Sequence, residues 1–223
     1  MLTLILAEAA LELVPKEIAK HRAVIKHAKR KGKKPYEILL DRSFHHSAMK
    51  NLNLSYKRGR PDLVHQSLLM ATSSPLYLTG NLKLIVHTIN DKIILISSGV
   101  RLPKSYHRFE GLMEKLFKVR RIEYEGKILL ELKDGDFKSL LKDISVSKVI
   151  GLAEEGERSN FEEVAKKLKN AAVVIGAFPK GTFSDKVKAY LDEVYSIHPL
   201  SLEASVVVAR IIYEYEKFIN LFL

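Results

Sequence analysis

Short apolar runs alternate with amphipathic stretches along this chain, and their spacing predicts its secondary structure. The pattern predicts strands at 2–7, 37–40, 82–88, 92–97, 121–125, 127–132, 148–152, 172–175 and 194–196. It predicts helices at 8–30 or 14–30, from the end of a polar loop at 41–46 to residue 52, and at 62–71, 106–117, 136–142, 160–168, 184–190 and 202–222. Asn90-Asp91 and Gly126 mark the turns of two hairpins, and Ser159 is the predicted cap of the helix at 160–168.

Strands and helices alternate beyond residue 145, which indicates a parallel sheet whose two faces are covered by helices. The hairpins at 82–97 and 121–132 lie earlier in the chain. The sequence therefore predicts an α/β fold with a mostly parallel sheet, helices on both faces and an added β-hairpin and helical extension. Because the 223 residues contain no clear linker, one domain is expected.

Positive charge is concentrated in three segments of a chain whose net charge is +11. Nine Lys or Arg lie between residues 16 and 34, where Glu17 is the one acid. A second cluster lies at 57–60 and a third at 101–108. Three separate clusters predict a surface track for a nucleic acid, and a solvated basic face is the alternative.

The second and third clusters carry side chains suited to RNA. In Arg60-Pro61-Asp62 the proline fixes a turn, and a guanidinium held by the carboxylate is prepared for a phosphate or a base edge. A purely structural ion pair is the alternative. The segment 101–109 interleaves cations with rings that can stack on unpaired bases. The cations are Arg101, Lys104 and Arg108, and the rings are Tyr106, His107 and Phe109. An ordinary loop–helix junction is the alternative.

Two loops rich in backbone groups lie in the C-terminal half. The first, at 174–181, follows an apolar strand and has Gly176 and Gly181 at the ends of its turn. The second, at 195–201, opens an apolar helix on which Val206 and Tyr213 fall at helical spacing, as in a core or a dimer face. Neither loop carries a nucleophile or a metal-ligand cluster. Side by side, such loops can hold a flat heterocycle, which indicates a cofactor that supplies the chemistry.

Several other classes of site lack their signatures. The chain has no Cys, which excludes a catalytic thiol and fits a reducing compartment such as the cytoplasm. It has neither a P-loop nor the glycine fingerprint of dinucleotide-binding folds. His45-His46 lacks a third ligand at metal spacing, so hydrogen bonding or phosphate contact is expected there instead of a metal. No apolar run reaches the length of a membrane span.

The blocks at 41–46, 60–70, 101–113, 175–181 and 196–215 resemble, in order and over nearly the whole chain, the pseudouridine methyltransferases of ribosome biogenesis in the SPOUT superfamily. The resemblance implies a C-terminal trefoil knot and one SPOUT-like domain over 1–223, with RNA-binding elements inserted around 41–132. It implies S-adenosylmethionine as cofactor and methylation at N1 of one pseudouridine in a hairpin loop of small-subunit ribosomal RNA. A cytoplasmic homodimer that meets ribosomal proteins but no membrane is also implied.

The resemblance also implies which residues form the site. Cofactor contacts are expected from Leu152, Gly176, Gly181, Tyr195, Ser196, Ile197, His198, Pro199 and Leu200. RNA contacts are expected from Arg60, Arg101, Lys104 and Arg108, with Asp62 holding Arg60. Lys104 stands where many relatives carry arginine, so it keeps the charge without the fork. His45, Asp62 and His198 all stay open as the base that removes the N1 proton.

Two rival functions stay open beside this one. The chain is either an RNA-binding ribosome assembly factor in which methylation is secondary or lost, or a knotted methyltransferase with another target, such as a ribose hydroxyl or guanine. Transfer to pseudouridine fits the residues because it needs chiefly in-line positioning of the base and the methyl carbon. A loop nucleotide is also the cheapest to unstack.

Overall fold

The computed structural model describes residues 1–221 and forms, within them, one sheet of eight strands. The strands are β1 (Leu2–Ala9), β2 (Leu82–Thr88), β3 (Lys92–Ile96), β4 (Arg121–Tyr124), β5 (Lys127–Asp134), β6 (Lys148–Arg158), β7 (Ala171–Gly176) and β8 (Glu193–Ser196). The helices are α1 (Arg22–Arg30), α2 (Arg42–His45), α3 (Pro61–Thr72), α4 (Pro75–Leu78), α5 (Tyr106–Val119), α6 (Phe137–Lys142), α7 (Phe161–Lys166), α8 (Asp185–Lys188) and α9 (Ala204–Phe218).

The sheet has a parallel part and an antiparallel part. Its order is β4-β5-β3-β2-β1-β7-β6-β8. The last five strands in this order, β2, β1, β7, β6 and β8, pair in parallel. The strands β3, β5 and β4 continue the sheet beyond β2 with antiparallel pairing. This arrangement confirms the predicted α/β fold with a β-hairpin extension.

Helices cover both faces of the sheet, because successive side chains of a strand point to opposite sides. In β1, Leu4 and Leu6 face the larger core, which contains side chains of α3, α5, α7 and α9. Ile5 and Ala7 face the smaller core under α6 and α8. A third apolar cluster packs α1 against the segment 38–52.

The predicted long helix after the first strand is wrong in its first half. β1 runs on to Ala9, because it is the central strand and pairs with β2 and β7 along its length. The chain then stays extended past Pro15, makes a 3-10 turn at Lys16–Ile18 and begins α1 only at Arg22. The predicted strand at 37–40 is reduced to a bridge between Leu13 and Leu39.

Other differences are local. The segment 41–46, predicted as a loop, contains α2, and turns follow it up to residue 52. Asn160, not Ser159, caps α7, since its side chain accepts the N–H of Glu163 at 2.9 Å. The final helix begins at Ala204 and ends at Phe218, and position 222 of the prediction lies outside the described residues. α4 was not predicted.

The trefoil knot and the single-domain assignment stay predictions. In residues 1–221, no helix combines the length and apolar character needed to span a bilayer.

Candidate cofactor and RNA site

A cavity of about 640 Å³, called here the main cavity, opens where β7 and β8 end, beside the middle of β6. Open α/β sheets bind ligands outside the carboxyl ends of their strands, and this cavity has that position. One wall is the loop 176–183 after β7, and the other is the loop 196–204 after β8. Leu152 of β6 and Leu63 of α3 also line the cavity.

Glycine gives the first loop its close turn. A Cβ on Gly176 would lie 2.7 Å from the ring of Phe178, which folds back over the strand end. Gly181 has a φ of +96°, which a side chain would disfavour, and a Cβ there would lie 3.0 Å from Tyr56. The two predicted glycines therefore shape the cavity wall, because each occupies a position where a larger residue would displace a ring.

A buried ion pair fastens this loop from behind. Glu8, at the end of β1, has a φ of +48° and accepts the Lys57 ammonium at 2.8 Å and the N–H of Ser184 at 3.1 Å. Lys57 also donates to the carbonyl of Thr182, and its Nζ lies 4.3 Å from the ring centroid of Phe178. Both charged residues are more than nine-tenths buried. Phe178, Thr182 and Ser184 are therefore held in place by contacts with Lys57 and Glu8.

The second loop is held by its own histidine and by β8. The N–H of Leu200 donates to Nδ1 of His198 at 3.1 Å, which closes the turn that faces the cavity. At Gly156 of β6, a Cβ would lie 2.6 Å from the backbone of Tyr195 in β8. Only glycine lets the two strands approach so closely, so Gly156 sets where the second loop begins.

Seven of the nine expected cofactor residues line the main cavity. They are Leu152, Gly176, Gly181, Ser196, Ile197, His198 and Leu200. Tyr195 does not line it: its side chain is buried, and its hydroxyl donates to Glu193 at 2.7 Å and contacts Lys167. Pro199, which is exposed in the turn that His198 closes, does not line it either.

Arg60 also lines the main cavity. Asp62 holds it in a fork, with Oδ1 at 2.8 Å from Nε and Oδ2 at 2.9 Å from Nη2. The hydrogen bonds that Arg60 donates to Asp62 raise the pKa of Arg60, and both side chains are more than one-third exposed. Pro61 is the first residue of α3, so the predicted turn is also a helix start.

The third basic cluster is tied to the same helix. His65 of α3 contacts the carbonyl of Pro103 at 2.7 Å, and its ring stacks on Phe109 with centroids 4.3 Å apart. Arg101, Lys104 and Arg108 are exposed, and within residues 1–221 none of them pairs with an acid. They lie outside the main cavity and leave their charges open to solvent.

The three candidate bases are all engaged. His45 is fully buried: its Nδ1 accepts the N–H of Asp41 at 3.1 Å, and its Nε2 lies 3.0 Å from Nδ1 of His27. Burial lowers the pKa of His45 to about 4. Both oxygens of Asp62 accept from Arg60. Since Nδ1 of His198 accepts an N–H, a neutral ring carries its proton on Nε2 and donates there. Both ring nitrogens of His45 therefore have partners within the protein.

A second cavity of about 550 Å³ lies between α1, α2 and α5 and is called the basic cavity. Its lining is His27, Arg30, Lys31, Lys33, Phe44, Tyr106, His107, Glu110, Gly111 and Glu114. Tyr106 donates its hydroxyl to Asp41 at 2.7 Å, and burial, followed by that hydrogen bond, raises its pKa. The basic cavity thus brings cations of the first basic cluster beside Tyr106 and His107.

Sequence reasoning missed several residues of the main cavity. Outside the two predicted loops, these are Leu63, Ala153, Glu154, Glu155, Thr182, Phe183, 202–204 and Val207. Glu154 and Glu155 were missed because the predicted strand ended at Leu152, whereas β6 continues to Arg158. The alternation over 152–158 is too weak to extend an apolar run, and only the pairing with β8 extends the strand.

Known proteins match this chain over almost its full length. The EMG1/NEP1 methyltransferase family matches residues 4–216. The chain is 44% identical over 208 residues to the ribosomal RNA small subunit methyltransferase Nep1 of Pyrobaculum calidifontis, covering 93% of this chain and 94% of that one. It is 45% identical over 211 residues to Nep1 of Saccharolobus solfataricus, covering 94% of each.

A solved structure has the same fold. Archaeoglobus fulgidus Nep1, crystallised with S-adenosylhomocysteine, superimposes with a TM-score of 0.89 at 40% identity over 99% of this chain and 100% of that one. Sequence identity, coverage and fold agree with each other and with the resemblance carried by the motif blocks. This chain belongs to the EMG1/NEP1 methyltransferase family.

Proposed function

We propose that this chain transfers the methyl group of S-adenosylmethionine to N1 of a pseudouridine in small-subunit ribosomal RNA. The observation that carries the proposal is that Arg60, the predicted RNA residue, lines the same cavity as both predicted cofactor loops. A methyl transferase needs its two reactants within reach of each other, and one shared cavity supplies that. Relatives named as small-subunit ribosomal RNA methyltransferases support the RNA class.

The lining of the main cavity fits the cofactor. Its volume of about 640 Å³ suits a nucleoside-sized ligand. The apolar side chains of Leu152, Ile197 and Leu200 would flank the adenine, and the main chain of the loops 176–183 and 196–204 would bind its polar edge. When bound, the cofactor supplies a methyl group on a sulfonium. The relative crystallised with S-adenosylhomocysteine supports this assignment.

The chain's own residues position the RNA. Asp62 presents the Arg60 fork to a phosphate or base edge beside the cavity, and the exposed cations at 101–108 hold the neighbouring backbone. Because His45, Asp62 and His198 are engaged, the N1 proton passes to solvent at the mouth or to a lining carboxylate. The lining carboxylates are those of Glu154, Glu155 and Glu203.

Methyl incorporation tests the proposal directly. The purified protein is incubated with S-adenosylmethionine carrying a labelled methyl group and a hairpin with one loop pseudouridine. We expect incorporation into this hairpin and none into the same hairpin with uridine. Equal methylation of both hairpins would assign another target. Hairpin binding without any binding of S-adenosylhomocysteine in calorimetry would favour the assembly-factor function.

We also propose a homodimer, supported by the exposed side of α9. Val206 and Tyr213 lie two turns apart there, with 39% and 55% of their surfaces exposed. Light scattering after size exclusion should give twice the chain mass, and Tyr213→Glu should reduce it. From the resemblance alone we further propose a cytoplasmic location and contact with ribosomal proteins.

A further inference from the structure

The side of α1 that faces away from the protein carries a row of cations. Arg22, Lys26 and Lys29 follow one another at intervals of four and three residues, so they lie on one side of the helix, and Arg30 lies beside them. All four are exposed, and within residues 1–221 none of them pairs with an acid. The buried residues of α1 lie on the opposite side. The row is therefore a free, positively charged surface.

This row does not stabilise the helix that carries it. Arg22 and Lys26, like Lys26 and Arg30, are like charges four residues apart, and such pairs destabilise a helix. The first turn of α1 contains no acid, so the charge of Arg22 there also opposes the helix dipole. In α7, by contrast, the first turn contains two glutamates, and both pair with Lys166. An anionic partner would convert the repulsion in α1 into a binding contribution.

The row ends beside the third basic cluster. Lys31, which follows the last residue of α1, pairs with Glu110 of α5 at 2.7 Å. This contact places Arg30 in the same cavity as His107, in the first turn of α5, and Arg108 is the next residue. The cations of α1 therefore continue the surface on which the third cluster is proposed to hold RNA. No residue of α1 lines the main cavity.

The composition of α1 favours a double-stranded partner. Its one ring belongs to His27, which is buried, so the exposed side offers charge without a stacking ring. Unpaired nucleotides are typically held by rings together with charges, whereas double-stranded RNA is bound largely through its phosphates and its shape. The nine residues of α1 span about 13 Å, a length that covers several successive phosphates of one strand.

We propose that the exposed cations of α1 bind the phosphate backbone of the double-stranded stem next to the methylated loop. The inference rests on the proposed function, since it extends the contacts of the same RNA from the loop to the stem. The loop lies at the main cavity and the third basic cluster, and the stem runs along α1. Because these contacts are to phosphates, they depend on the stem being double-stranded and not on its base sequence.

The experiment is a series of hairpins that share the pseudouridine loop and differ in stem length, from a few base pairs to about one helical turn. Binding is measured by fluorescence anisotropy at several salt concentrations. For the wild type, the affinity should rise once the stem reaches α1. The double variant Lys26→Ala, Lys29→Ala should lose this gain and bind the shortest hairpin as the wild type does. For the longest hairpin its salt slope should be smaller by about 2, because two phosphate contacts are lost.

A second double variant removes the same amount of charge elsewhere. Lys138→Ala, Lys142→Ala changes two exposed lysines of α6, which covers the smaller core on the other face of the sheet. It should keep the gain with stem length and the salt slope of the wild type. An equal loss in both double variants would show an effect of net charge alone and would overturn the proposal.

Two further outcomes would also contradict the stem contact. Affinities that do not change with stem length in the wild type would leave the row on α1 to another partner, such as an acidic protein surface. An extension of one strand only, left unpaired, should give a smaller gain than the paired stem. An equal gain from the unpaired extension would assign the row to single-stranded RNA instead.

Methyl transfer to the same hairpins separates this inference from the proposed function. If the wild type methylates them and Lys26→Ala, Lys29→Ala keeps the gain with stem length, only the stem contact is wrong. If the gain is lost in that variant but the wild type transfers no methyl group, the proposed function fails and the stem contact stands. If the wild type binds none of the hairpins, both fall.

Discussion

The main cavity and the basic cavity have similar volumes but are built in opposite ways. Backbone loops and glycines form the main cavity, and the charges that hold its first loop, Glu8 and Lys57, lie buried behind it. Charged and aromatic side chains on three helices form the basic cavity, and many of them reach solvent. In the first, shape comes from chain geometry, whereas in the second it comes from individual side chains.

This difference predicts how each region responds to change. A substitution behind the main cavity moves a whole loop, so its effect should be large and felt by the cofactor. A substitution at the exposed cations removes one contact, so its effect should be smaller, specific to RNA and dependent on salt. The following four predictions test that contrast, from the largest expected effect to the smallest.

Lys57→Leu should have the largest effect. It leaves the Glu8 carboxylate buried without its cation, which should cost about 3–5 kcal/mol of unfolding free energy. It also releases the carbonyl of Thr182. Because the cofactor must then order the loop on binding, the affinity for S-adenosylhomocysteine should fall roughly tenfold. Urea unfolding and calorimetric titration measure the two effects.

The adjacent Arg58 supplies the matched control for Lys57. Its guanidinium pairs with the buried Glu12 at 2.7 and 2.6 Å and does not touch the loop 176–183. Arg58→Leu should therefore lower stability to a similar extent without changing cofactor affinity in the folded protein. Equal loss of cofactor affinity in both variants would show that Lys57 acts through general stability alone.

Gly156→Ala should come next, because its Cβ would meet backbone atoms of β8 that cannot rotate away. We expect a loss of roughly 2–3 kcal/mol and weaker binding of S-adenosylhomocysteine. Gly151→Ala on the same strand is the control, since there the Cβ meets only the flexible end of Leu191. The contrast is lost if the two variants melt and bind alike.

Acid should weaken the protein through His45, which lies behind the basic cavity. Its pKa is lowered to about 4 by burial, so below about pH 6.5 the unfolded chain binds a proton that the folded one excludes. This contribution to stability is complete above that pH and is lost as the pH falls towards 4, by about 3 kcal/mol. Urea unfolding across this range should show a shallower slope for His45→Asn.

His46→Asn is the control for that slope, because it makes the same substitution at the neighbouring, exposed His46 and leaves the buried ring of His45 in place. Burial also lowers the pKa of His27, which contacts His45, so a remaining slope in His45→Asn is expected. An unchanged slope in His45→Asn would contradict the assignment of His45 as a buried neutral ring.

Arg60→Ala should have the smallest of the four effects. Removing its fork should weaken hairpin binding about tenfold and reduce the salt slope by about 1, with cofactor affinity nearly intact. Arg121→Ala, at an exposed pair with Glu131 on the far edge of the sheet, is the control and should change neither. Equal loss of RNA and cofactor binding would place Arg60 in the cofactor site instead.

The sequence predicted those features that depend on neighbours along the chain. The apolar run of β7, the hairpin turns and the glycines at 176 and 181 all follow from local pattern and backbone preference. Asp62 meets Arg60 because a proline lies between them. Such relations span a few residues, so they can be recognised before the fold is known.

Features that join distant segments could not be predicted from the pattern. The basic cavity lies between α1 and α5, which are some eighty positions apart. The sequence of neither helix indicates that the two lie side by side. His45 was a candidate base because its contact with His27, eighteen positions earlier, cannot be read from the sequence. Tyr195 was expected at the cofactor from the resemblance, and the contacts of its hydroxyl with Glu193 and Lys167 could not be predicted from the sequence.

The turn between Lys57 and Arg60 joins a contact behind the cofactor loop to a contact inside the main cavity. Its backbone is pinned midway, where the N–H of Arg42 donates to Gly59 and the N–H of Arg60 donates to Ala10. An insertion or deletion of one residue here would shift one contact relative to the other. Variation in length should therefore be rejected at this turn.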